Sequence, residues 1–243
     1  MRTRLYIAGV FAGFALLAVI LVIAFAFGRH DPSPPALSAH PNGAIPGEIL
    51  YIDKDGCFVV AQASGAGQER LSCGARMTPM GPQLWWTGED TVQWAQPSAP
   101  GPQKVVEVNI RTGAQQDTGK TVPPQEGPLF PVPGVFGLNG CLQSPDGTFG
   151  CIDDDGKLAL VNNGVVSRVA SFDLPRYSRP QMRAWSPDSQ WVLLEYFPPH
   201  EKNPELWIVS RDGNVRGTLT KAVSSMLVAW RIDGVGAWPP APD

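Results

Sequence analysis

The chain has 243 residues, with 26 Gly, 25 Pro, eight Trp and ten Phe, and a formal charge of −3. That aromatic content can bury a large apolar core, which excludes a disordered chain. Both signs of charge are scattered, and no run of Lys or Arg marks a nucleic-acid face, so no nucleic-acid partner is expected.

Residues 1–4 read as a short cytoplasmic tail carrying Arg2 and Arg4. Leu5 to Phe27 are 23 consecutive residues without a charge. As a helix rising about 1.5 Å per residue, such a run spans a hydrocarbon core of about 30 Å. The cationic excess lies on the N-terminal side, so that end is expected in the cytoplasm and the rest outside, as a single-pass signal anchor. A cleaved signal peptide is the alternative, because Ala24-Phe25-Ala26 reads as a cleavage site, but the run is longer than a normal signal core. Residues 28–47 form a linker whose Pro32, Pro34, Pro35, Pro41 and Pro46 favour an extended spacer. His30 and His40 lie there with nothing to fix them as metal ligands.

A domain over residues 48–238 follows, leaving a tail at 239–243. Its first strands are Glu48–Ile52, Cys57–Ala61 and Glu69–Leu71, separated by Asp53-Lys54-Asp55-Gly56 and by Ser64-Gly65-Ala66-Gly67. Leu84-Trp85-Trp86, Val92–Trp94 and Lys104–Asn109 come next, around Pro-rich loops at Pro97–Pro102 and Pro123–Gly134. A third set opens at Cys141 and continues through Phe149–Ile152, Lys157–Val161 and, after Asn162-Asn163-Gly164, Val165-Val166.

The clearest set runs from Ala184 to Thr220. Ala184-Trp185-Ser186-Pro187-Asp188 opens it; Trp191–Tyr196, Leu206-Trp207-Ile208-Val209 and Val215–Leu219 complete a four-stranded antiparallel meander. Val228–Gly234 then repeats the opening strand. This stretch resembles one blade of a TolB-like, WD-repeat-like β-propeller, whose blades carry a W-S-P-D-G turn and an L-W-x-V strand. The spacing supports repeats: Ser144 to Ser186 is 42 residues and Ser186 to Arg231 is 45, against about 40–45 for a propeller blade. Tyr51–Gly56 also matches Cys151–Gly156, 100 residues on.

The expected fold is therefore all-β: a small β-propeller of about four blades of four antiparallel strands, preceded by one transmembrane helix. Opening strands are placed near Thr78, Ser144, Ser186 and Arg231, and three-strand sets begin near Ile49, Leu84, Phe149 and Trp191. The first set lacks an opening strand and the last opening strand lacks a set. Hence Val228–Ile232 is expected to pair beside Glu48–Ile52 as the innermost strand of blade one, closing the ring.

Four Cys allow three pairings. Outside the cytoplasm disulfides persist, and the pairs Cys57–Cys73 and Cys141–Cys151 are each centred on a turn, so these two bridges are expected. The Asp clusters do not fit an EF-type calcium loop: Gly156 comes too early after Asp153, and the twelfth position is Gly164. A turn explains them better, and no metal or cofactor is expected. No G-x-S-x-G motif is present, and His200 is the only His of the domain, so no catalytic residue is assigned. Trp185, Trp191, Trp207 and Trp230 read as core; Trp85 and Trp86 point to opposite faces of their strand, so one of them is expected to be exposed.

The resemblance implies a non-catalytic module that binds a protein or envelope component. The alternative is an envelope glycan hydrolase or lyase, which would need a carboxylate pair about 5–9.5 Å apart in the central funnel.

Overall fold

The computed structural model describes residues 45–73, 84–96, 101–123, 138–172, 180–199, 203–221 and 223–238. All belong to one compact unit, Ser33–Asp243. The expected anchor at 5–27 lies outside the described residues, as do Thr78 and His200. Among the described residues no helix is long and apolar enough to cross a membrane.

Every described element is a strand. Sheet one contains β1 (Glu48–Asp53), β2 (Cys57–Gln62) and β3 (Glu69–Cys73), joined by the C-terminal β16 (Val223–Ile232) and β17 (Gly236–Trp238), in the order β17-β16-β1-β2-β3. Sheet two is a meander of β4 (Leu84–Trp86), β5 (Thr91–Gln96), β6 (Gln103–Asn109) and β7 (Gln115–Val122). Sheet three is β8 (Leu138–Gln143), β9 (Phe149–Asp153), β10 (Leu158–Asn162) and β11 (Val165–Ala170). Sheet four is β12 (Gln181–Trp185), β13 (Trp191–Tyr196), β14 (Glu205–Ser210) and β15 (Arg216–Thr220). All pairings are antiparallel, and the arrangement fits a small β-propeller.

The ends of the domain meet in sheet one. Glu48 pairs with Arg231, Ile49 with Trp230, Leu50 with Ala229 and Tyr51 with Val228. The C-terminal segment thus completes the N-terminal sheet, as the unmatched strands at the two ends require. Three corrections to the sequence reading follow. β16 is not innermost, because β17 pairs beyond it through Arg231↔Ala237 and Ile232↔Gly236. Leu84–Trp86 is itself the first strand of sheet two and not the first of a following set. The fourth strand of that sheet, β7, is Gln-Gln-Asp-Thr-Gly-Lys-Thr-Val, a polar edge strand exposed almost throughout, so it shows no apolar alternation.

Packing follows strand alternation. One face of sheet one and one face of sheet four share a core of Ile49, Tyr51, Val59, Ala184, Leu193, Ile208, Val228 and Trp230. The opposite face of sheet one, through Leu50, Ile52 and Phe58, meets Trp86, Val92, Trp94, Val106 and Val108 of sheet two. Sheets three and four meet through Ile152, Leu158, Met182, Trp185, Tyr196 and Trp207. Trp85, Ala95, Val105 and Val122 form a cluster within sheet two, and Leu138, Cys141, Cys151, Ala159 and Val161 one within sheet three; among the described residues neither reaches the other sheet.

The meander sorts its connections. At one end of each sheet lie turns of two to six residues, such as 87–90, 144–148, 186–190 and 233–235. The strands that flank 74–83, 97–102, 123–137, 171–180 and 197–204 all break off at the other end. Three tight turns share one mechanism. The hydroxyls of Ser144, Ser186 and Ser210 donate to Asp146, Asp188 and Asp212, and each carboxylate accepts the N–H two residues on. The hairpin at Asn163-Gly164 has φ of 49° and 78°, the conformation that Asn-Gly favours.

Candidate functional site: a charged cleft where the chain ends meet

The pairing of β16 with β1 builds a cleft. It has a volume of about 650 Å³ and is lined by Pro46, Gly47, Glu48, Gln62, Glu89, Arg231, Ile232 and Asp233. Two sheets contribute, because the 87–90 turn of sheet two brings Glu89 beside the end of β16.

Arg231 forms the wall between them. Its guanidinium lies 3.8 Å from the centre of the Trp86 ring. Nε and Nη2 donate to Glu48 Oε2 at 3.0 and 2.6 Å, and Nη1 donates to the carbonyls of Gly88 and Glu89 at 3.2 and 2.7 Å. The cation is thus held on all sides. Gln62 Nε2 donates to the other oxygen of Glu48 at 3.1 Å. The entering chain is strapped down by two bonds, Trp230 Nε1 to Pro46 O at 3.1 Å and Ala63 N to Gly47 O at 2.9 Å. Gly47 has φ of 89°, and a Cβ there would sit 2.1 Å from the Arg231 carbonyl oxygen, so only glycine lets the two chain ends approach this closely.

Glu89 and Asp233 are exposed, and among the described residues neither carboxylate joins an ion pair. The lining therefore holds three carboxylates against one guanidinium.

Carboxyls with shifted pKa values serve the turns of the sheets. Burial pushes Asp146 up, but hydrogen bonds from Ser144, Arg211 and the Thr148 N–H outweigh it and hold the group well below the usual carboxylate range. Burial likewise opposes ionisation of Asp153, and Arg168 with the N–H groups of Lys157 and Asp155 overcomes it. Asp153 is the turn residue flagged in the sequence: Oδ1 accepts the Asp155 and Lys157 N–H groups, and Oδ2 accepts Arg168 Nε at 2.7 Å. Asp53 repeats the pattern with Asp55, Cys57 and Arg70. Glu195 is the exception. Burial raises its pKa and Arg183 only partly offsets that; its side chain is 1% exposed and that of Arg183 6%.

Both disulfides join the expected partners, Cys57 to Cys73 across β2 and β3 and Cys141 to Cys151 across β8 and β9. Trp185, Trp207 and Trp230 are fully buried, and Trp191 is half-buried against the sheet one–sheet four core. The expectation for Trp85 and Trp86 needs correction. Both are buried, at 4% and 6% exposure: Trp86 packs against sheet one, and Trp85 packs on the other face with Ala95, Val105 and Val122 of its own sheet. Arg231 carries the cleft but shows in the sequence only as the residue standing where Ser144 and Ser186 stand in other repeats. Glu89 and Asp233 show no signal beyond turn composition.

The chain matches no sequence-family model and no curated protein. Among solved structures it is similar to TolB from Acinetobacter baumannii, at 15% identity and a TM-score of 0.34, covering 74% of this chain and 54% of that one. It is also similar to YCF48 bound to D1 peptide (12% identity, TM-score 0.29, 76% of this chain and 86% of that). A further match is the tricorn protease (12% identity, TM-score 0.29, 82% of this chain and 17% of that). The chain spans about half the length of the TolB structure.

Proposed function

We propose that this chain is a membrane-tethered, extracytoplasmic β-propeller that binds a protein or envelope component and carries out no chemistry of its own. The observation that carries the reading is the preorganised cleft around Arg231. Its cation is locked by five contacts, so the surface presents a fixed pattern of charge, which suits recognition. The lowered carboxyls of Asp146, Asp153 and Asp212 are weak bases tied into turns, a poor match for general acid–base work. The one carboxyl raised among the described residues, Glu195, is sealed from solvent against Arg183. The paired cysteines support an oxidising compartment, and the 23-residue apolar run supports the tether.

The test is affinity capture of the full chain from crosslinked membranes, alongside Arg231→Ala. A specific adduct that the variant loses supports the reading. Membranes that yield no adduct, or purified full chain that degrades envelope glycan, would overturn it in favour of the hydrolase alternative.

A further inference from the structure

We infer that the Arg231 cleft receives a basic side chain, lysine or arginine, presented on an extended segment of a partner protein. The inference rests on the binding-module reading and adds the chemistry of the partner.

The cleft's volume of about 650 Å³ accommodates a long side chain with its flanking backbone. Its charge is unbalanced for a definite reason. Arg231 is the lining's one cation, and its donors turn inward, to Glu48 and to the carbonyls of Gly88 and Glu89. Stacking on Trp86 holds it there. It therefore neutralises Glu48 and cannot swing out to Glu89 or Asp233. Those two carboxylates remain exposed on the rim, without an ion pair among the described residues. An incoming anion meets two negative charges and a guanidinium that already commits four of its five N–H groups to Glu48 and to the carbonyls of Gly88 and Glu89. An incoming ammonium or guanidinium meets two uncompensated acceptors and a fixed floor that needs no rearrangement.

The same geometry couples recognition to the fold. The cleft's walls come from residues 46–48, 62 and 89 and from residues 231–233, so it exists only while β16 is paired with β1. A cation bridging Glu89 and Asp233 also links sheet two to sheet one. Binding therefore stabilises the closed arrangement by mass action.

The test uses the full chain in mild detergent and three end-blocked fluorescein tripeptides, Gly-Arg-Gly, Gly-Lys-Gly and Gly-Gln-Gly, read by anisotropy at low salt. Two exposed carboxylates predict that the Arg and Lys probes bind about tenfold tighter than the Gln probe. Raising salt to about 0.5 M should erase most of that preference. The double variant Glu89→Gln/Asp233→Asn should also lose it, while its urea midpoint stays at the wild-type value. Equal binding of all three probes, no binding of any, or a cationic preference that survives the double substitution would each overturn the inference. The crosslinked capture separates the two claims. A partner retained in full by the double variant sinks the basic-side-chain inference and leaves the binding module standing; absence of any partner sinks the module itself.

Discussion

Trp230→Ala tests whether the meeting of the chain ends holds the domain together. Trp230 is fully buried between sheets one and four, among Ile49, Tyr51, Leu193, Ile208 and Val228. Its Nε1 donates to the Pro46 carbonyl, binding β16 to the residue that leads into β1. Truncating a buried Trp to Ala costs about 3–5 kcal/mol from lost transfer energy and the cavity left behind. The lost hydrogen bond adds about 1 kcal/mol or less, because Pro46 is only half-buried and water can replace the donor. A total near 4 kcal/mol is a large share of the roughly 5–15 kcal/mol that holds a domain folded. With a urea slope of about 2 kcal/mol per molar, the unfolding midpoint should fall by about 2 M. The assay is urea unfolding of the oxidised full chain, followed by far-ultraviolet circular dichroism, with Val165→Ala as a control at an exposed hairpin. Truncation at Ser225 removes most of β16 and all of β17, exposing the β1 edge, and should produce concentration-dependent association on size exclusion. A Trp230→Ala loss below about 1 kcal/mol, or a truncated chain that stays monomeric with an unchanged midpoint, would refute the closure argument.

Three further outcomes follow from the buried charges and the bridges. Arg183→Met should cost about 3–5 kcal/mol, because it strands the Glu195 carboxylate at 1% exposure, whereas Arg183→Met/Glu195→Leu should recover most of that loss; urea midpoints of the two decide it. Asp153 has a folded pKa below its unfolded value, so the unfolded chain takes up the proton first and stability falls as pH drops below about 4. Asp153→Asn should lower stability at neutral pH and flatten that acid limb, and a variant whose acid limb is as steep as wild type contradicts the assignment. Cys57→Ser/Cys73→Ser opens a loop with a sequence separation of 16. It should cost about 3 kcal/mol, and the change in the thermal or urea midpoint measures it.

Local chemistry made much of this protein legible in its sequence. Ser186-Pro187-Asp188 and the Leu206–Val209 run mark a blade because a turn needs short polar side chains and a covered strand needs apolar ones. Cys57 and Cys73, and Cys141 and Cys151, can be paired because each turn sets its own strand register. The unmatched strands at the two ends announced that β16 must join β1. What the sequence concealed depends on neighbours far along the chain. The polar strand β7 is held by its ladder to β6 and buries only Val122 at its end, so its composition looks like loop. Trp86 is buried because sheet one, with Leu50, Ile52, Phe58 and Ala229, packs against it and Arg231 lies on its ring. Glu48, Glu89, Arg231 and Asp233 are individually ordinary surface residues. They become one cleft only when the closing strand brings both ends of the domain beside the first turn of sheet two, and that long-range register is a property of the packed sheets and not of any local run of residues.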